Sequence, residues 1–124
     1  MTLLISSPTN IRYCTGYIGT DVANHESYCL NHDGIYHLFV SSLNEEYARA
    51  LPHLTRDQKE LRIHAVAVGT PLIRAVSMLI QKLHIKALGF ESMHLSVYER
   101  DQLRTYLPSS VRCTPKDGTT EKKR

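Results

Sequence analysis

No run in this sequence approaches the roughly 20 apolar residues that a membrane helix requires, and residues 1–6 lack the basic region and long apolar core of a signal peptide. A cytoplasmic protein with no membrane partner is the expectation. Cysteine is sparse as well. Cys14, Cys29 and Cys113 stand at unrelated spacings with no Cys-x-x-Cys pair, which excludes a disulfide framework and a zinc knuckle and leaves buried, reduced thiols. Charge of one sign is also missing. The net charge is +3, and residues 116–124 carry Lys116, Lys122, Lys123 and Arg124 against Asp117 and Glu121, so the body is close to neutral. A near-neutral body with a short basic end does not predict a nucleic-acid partner. Gly-x-Ser-x-Gly elbows and the glycine-rich loops that cradle phosphates are absent too.

What is present is ordinary globular material: 124 residues, 42% hydrophobic and 22% charged, enough for one domain with its own core. Residues 2–6 read as a strand closed by Ser7-Pro8, and residues 10–16 as a loop or single turn that Asn10 could cap. A weak strand over 22–30 leads into Asn31-His32-Asp33-Gly34, a hairpin turn because Asp-Gly supplies the positive φ such turns need. Residues 35–40 return. Ser42 and Glu45 have capping-box spacing, predicting a helix from Leu43 with Leu43, Tyr47, Ala50 and Leu51 on its apolar face and Pro52 as its stop. Residues 54–60 read as a polar turn or loop, and 61–68 as an inner strand covered on both faces.

Thr70-Pro71 predicts the start of the strongest helix, with Leu72, Ile73, Ala75, Val76, Leu79, Ile80 and Leu83 at helical spacing. A short strand over 86–90 follows. Ser96 and Glu99 form a second capping box for a helix that Pro108 ends, and 111–114 read as a last strand before a polar tail. Alternating strands and helices, with one early hairpin, predict an α/β fold: a mixed sheet of about five to six strands with flanking helices.

Seven histidines raise the question of a metal. His25-Glu26-Ser27-Tyr28-Cys29 imitates a helical zinc motif, but on a strand His25 and Cys29 stand roughly 13 Å apart, too far for one ion. The other six are scattered, so no metal and no catalytic residue is assigned; a small histidine-dependent enzyme would need a cluster formed by folding alone. The segment with the most to offer is Arg12, Tyr13, Tyr17 and Asp21, which gathers charge and phenols around Gly16 and Gly19. Either Tyr13 packs inward and Arg12 pairs with an acid, or the set forms a rim that contacts substrate or another subunit.

The order of these segments carries a resemblance. Leu3-Leu4-Ile5, then Asn10-Ile11-Arg12-Tyr13-Cys14-Thr15-Gly16-Tyr17, the Asp33-Gly34 hairpin with Leu38-Phe39, and Ala87-Leu88-Gly89-Phe90-Glu91 with Leu95-Ser96 and Tyr98 resemble the amino-terminal domain of the creatinase, aminopeptidase P and prolidase family. The resemblance implies a ribonuclease H-like α/β architecture over 1–115 and a polar linker or tail over 116–124. It further implies a non-catalytic role in a Xaa-Pro aminopeptidase- or dipeptidase-like protein, mediating dimer contacts and walling the cleft of a catalytic domain. The dinuclear metal of that family belongs to the catalytic domain, beyond Arg124, so no cofactor is expected within these residues. Where the family tends to show Thr-Asp-Ser-Arg-Tyr, this sequence has Val40, Ser41, Ser42, Leu43 and Asn44, so the roles of that Asp and Arg do not carry over. That departure keeps open a free-standing binding or regulatory module with the same fold.

Overall fold

A computed structural model describes residues 2–18, 27–52, 55 and 59–116. Among the described residues six strands form one sheet: β1 (Thr2–Ile5), β2 (Ser27–His32), β3 (Ile35–Ser41), β4 (Glu60–Val66), β5 (Ala87–Phe90) and β6 (Arg112–Pro115), in the order β4-β3-β2-β1-β5-β6. β2 runs antiparallel to β1 and β3, while β3–β4, β1–β5 and β5–β6 pair in parallel. Five strands therefore point one way and β2 alone points back. The expected mixed sheet of five to six strands is what forms.

Among the described residues four α-helices cover it: α1 (Pro8–Thr15), α2 (Glu45–Arg49), α3 (Leu72–Lys82) and α4 (Val97–Tyr106). Side chains alternate across a strand, and β1, buried throughout, serves both faces. Leu4 joins Tyr28, Leu30 and Phe39 beneath Ile73, Val76 and Ile80 of α3 and Leu103 of α4. Leu3 and Ile5 turn the other way, with Cys29, Leu38 and Val40, against Ile11 and Cys14 of α1 and Ala48 of α2. At about 1.5–3 kcal/mol for each fully buried aliphatic side chain, the three from α3 alone outweigh any cap on that helix.

Several local expectations need correction. Residues 8–15 are a helix rather than a loop: Ser7 accepts from Asn10 N as N-cap, Pro8 takes the first turn, and Gly16 closes α1 at φ +84°. Ser7-Pro8, which can end a strand, here starts a helix because proline's fixed φ suits the first turn. Ser41 rather than Ser42 caps the next segment, a 3-10 turn over Ser42–Asn44, and α2 that follows has five residues and buries only Ala48. Leu43 is 81% exposed rather than on an inner face. β4 is an edge strand, exposed at Glu60, Arg62 and Ala65, not an inner one. Pro71 stands at the N-cap of α3 in extended geometry, and Thr70 does not cap it. Cys14 and Cys29 are buried as expected, but Cys113 is exposed. The hairpin turn forms as expected, with Asp33 and Gly34 both at positive φ. Asp21, His25, residues 22–26 of the weak strand, most of 54–60 and the tail from 117 lie outside the described residues.

Candidate functional site

The common direction of β1, β3, β4, β5 and β6 gathers their carboxyl ends along one rim of the sheet. From β1 the chain passes to α1 on one face; from β5 it passes, through a 3-10 turn over Ser92–His94, to α4 on the other. A crevice opens between two strands whose connections diverge in this way, and in open α/β sheets that is where ligands bind. Here the crevice holds a side chain of the same chain. Glu91, 3% exposed, accepts hydrogen bonds through Oε1 from Ser6 N at 2.8 Å and Ser7 N at 2.9 Å. Its Oε2 accepts from Asn10 Nδ2, and Ser6 Oγ donates to His94 O at 2.7 Å. A carboxylate at the start of a helix is stabilised by the aligned peptide dipoles and by amides with no partner inside the helix. Glu91 thus supplies the anion that a phosphate or carboxylate ligand supplies in other folds. Three donors engage it, which makes it a fastener rather than a base aimed at solvent.

A second buried carboxylate lies behind it. Glu99 accepts from Ser96 N at 2.9 Å, while Glu99 N donates to Ser96 Oγ at 3.0 Å, completing the predicted capping box. The Tyr28 hydroxyl donates to Glu99 Oε2. Burial first, then the bond to Glu99 and its negative charge, pushes the Tyr28 phenol far above its ordinary range. It stays protonated and holds β2 to α4.

Of the predicted set, Asp21 lies outside the described residues, and Arg12, Tyr13 and Tyr17 are split. Arg12 is exposed on α1, Tyr13 is partly buried against the cluster beneath α1 and α2, and Tyr17 is 1% exposed with its ring 5.6 Å from that of Tyr47. The ion pairs among the described residues are Arg49–Glu45 and Arg62–Glu60, so Arg12 has no acid partner there. Folding does pair two histidines. His37 Nδ1 lies 2.9 Å from His64 Nε2, and His64 stacks on Phe39 at 4.7 Å. Burial, with the positive charges of His64, Arg62 and His32, lowers His37 to about 4 against a weaker opposing pull from Glu60. Burial and Arg62, Arg49 and Lys82 lower His64 as well. His32 has a different hydrogen-bond partner, its Nδ1 2.6 Å from Thr2 Oγ1. Among the described residues no three His, Cys, Asp or Glu side chains converge as a metal site.

Reading the sequence for chemistry passed over Glu91 as a site residue, although the Gly-Phe-Glu segment contained it. The available signal was a lone acid directly after a strand, with Ser-Ser-Pro after another. The rim also carries exposed apolar side chains: Leu43 after β3, Val68 after β4, Met93 after β5, and Val97 and Tyr98 in the first turn of α4.

A mixed six-stranded sheet clad by helices on both faces, with a buried glutamate tying the end of β5 to the start of α1, defines an α/β domain. The chain belongs to the Creatinase/Prolidase N-terminal domain family, which it matches across residues 2–124. Its fold is shared with a Xaa-Pro aminopeptidase from Streptococcus pyogenes (24% identity, TM-score 0.77, 99% of this chain and 83% of that one). It is shared too with the N-terminal domain of the cytoplasmic peptidase PepQ from Mycobacterium tuberculosis H37Rv (21%, TM-score 0.73, 99% and 86%). The Xaa-Pro dipeptidase from Bacillus anthracis matches at 20% identity and TM-score 0.76 over 99% of this chain, which spans 30% of that protein. No curated protein sequence gives a match. No helix among the described residues is long and apolar enough to cross a membrane.

Proposed function

We propose that this domain is the non-catalytic amino-terminal part of a cytoplasmic Xaa-Pro aminopeptidase- or dipeptidase-like protein, making subunit contacts and walling the cleft of a metal-bearing catalytic domain. Residues 1–115 form the domain and 116–124 the linker. The observation that carries this reading is the exposed apolar rim of Leu43, Val68, Met93, Val97 and Tyr98 at the carboxyl ends of the strands. Apolar side chains held outward on a rigid frame gain by being covered, and aromatic residues and methionine are enriched where proteins meet. Arg12, exposed on α1, is the member of the predicted set positioned to meet a partner, with Tyr13 and Tyr17 holding its helix from behind.

Sedimentation of the purified chain from low to high micromolar concentration tests the subunit-contact role. Self-association weakened by Met93→Glu and Tyr98→Glu is the expected result. A chain that stays monomeric throughout overturns that role, and self-association untouched by both substitutions removes it from this rim.

A further inference from the structure

Away from the rim crevice, α4 and the edge strand β6 enclose a groove of about 540 Å³, within the size range of small-molecule sites. Its apolar lining includes Phe90, Leu103, Leu107 and Val111. Among the described residues its charged lining is Arg100 and Arg104, with no acidic side chain. The two arginines stand one helical turn apart on the same face of α4, where like charges repel, and neither belongs to an ion pair among the described residues. The Arg100 guanidinium lies 5.2 Å over the Phe90 ring, yet its Nε is buried without a hydrogen-bond partner. A buried donor left unpaired is costly, and here it borders a cavity. Cys113 lines the same groove with an exposed thiol.

We propose that this groove binds a small organic anion, a carboxylate attached to an apolar body, with Arg100 and Arg104 on the carboxylate and Phe90, Leu103 and Leu107 around the body. An added peptide strand is a poorer occupant. Arg112 N donates to Lys86 O and Lys116 N to Phe90 O, so the outward positions of β6 are Cys113 and Pro115. Proline has no N–H, which leaves the free edge a single outward donor. The chain that follows β6 has the wrong charge, since Lys116, Lys122, Lys123 and Arg124 outnumber Asp117 and Glu121.

The test uses 4-phenylbutyrate as probe, with 4-phenylbutanamide and acetate as controls. The readouts are the rate of Cys113 alkylation by iodoacetamide and chemical-shift titration of the full chain. Cys14 and Cys29 are buried, so alkylation reports on the groove. Saturable protection of Cys113 by phenylbutyrate is expected, with the amide and acetate each weaker by about tenfold or more, because a charge-assisted pair and an apolar contact are lost in turn. Arg104→Gln, at an exposed position whose loss leaves the core intact, should weaken the probe by about tenfold, and Arg100→Gln by at least as much. Absence of saturable protection at millimolar probe overturns the proposal. So does equal binding of the amide, or binding unchanged in Arg104→Gln.

Discussion

Glu91 ties the end of β5 to the start of α1 through one side chain. Glu91→Ala leaves the buried amides of Ser6 and Ser7 without their acceptor and takes one acceptor from Asn10 Nδ2, all at the dry start of α1. At about 1–3 kcal/mol for each buried amide left unsatisfied, the loss should reach at least about 2 kcal/mol in urea unfolding; a change under about 1 kcal/mol would show that water replaces the carboxylate. Gly89, two residues earlier, makes a different demand. A Cβ there would stand 2.7 Å from Lys116 Cγ and 3.3 Å from Leu3 Cδ1, so Gly89→Ala should cost about 1–3 kcal/mol through overpacking. Unfolding of the variant checks it, and unchanged stability would mean that the Lys116 stem moves aside freely.

At the scale of elements, the β3–β4 pair carries a dependence on pH. His37 titrates near 4 in the fold but near 6.5 once unfolded, so between those values the unfolded chain holds the extra proton. Stability is therefore full above about pH 6.5 and falls with pH through the window, by up to about 1.4 kcal/mol per pH unit for one such site. His64, lowered for the same reasons, deepens the loss. Urea midpoints between pH 7 and 4.5 should fall more steeply for the native chain than for one carrying His37→Phe and His64→Phe. Parallel pH slopes would sink the assignment.

The elements also show where sequence sufficed. The α4 capping box and the Asp33-Gly34 turn are spelled in adjacent residues, and each formed as read. α1 escaped because Ser7-Pro8 serves equally as a strand's end and a helix's start. β4 passed for an inner strand because an apolar run does not record how many neighbours it has, and strand order is decided elsewhere in the chain. Glu91 was hidden for the same reason: its donors are 81 to 85 residues away. The arginines at 100 and 104 are visible as a pair and the last strand is visible too, but their placement across one groove is not.

For the whole molecule, helices cover both faces of the sheet while exposed apolar side chains gather at its carboxyl rim, so association should respond to substitutions on the rim and not to those on α3's outer side. Met78 is exposed on α3 and provides the control: Met78→Glu should leave sedimentation unchanged while Met93→Glu shifts it toward monomer.

The bond from Ser6 to Glu91 also has a consequence in time. On the ribosome, residues emerge at roughly 5–20 per second, and 85 positions separate the two ends of that bond. The β2–β3 hairpin can close soon after it appears, but the start of α1 must wait roughly 4–17 seconds for its anion. Until then β1 lacks its β5 neighbour as well, so that one of its two edges, the side away from β2, stays open while the residues between are made.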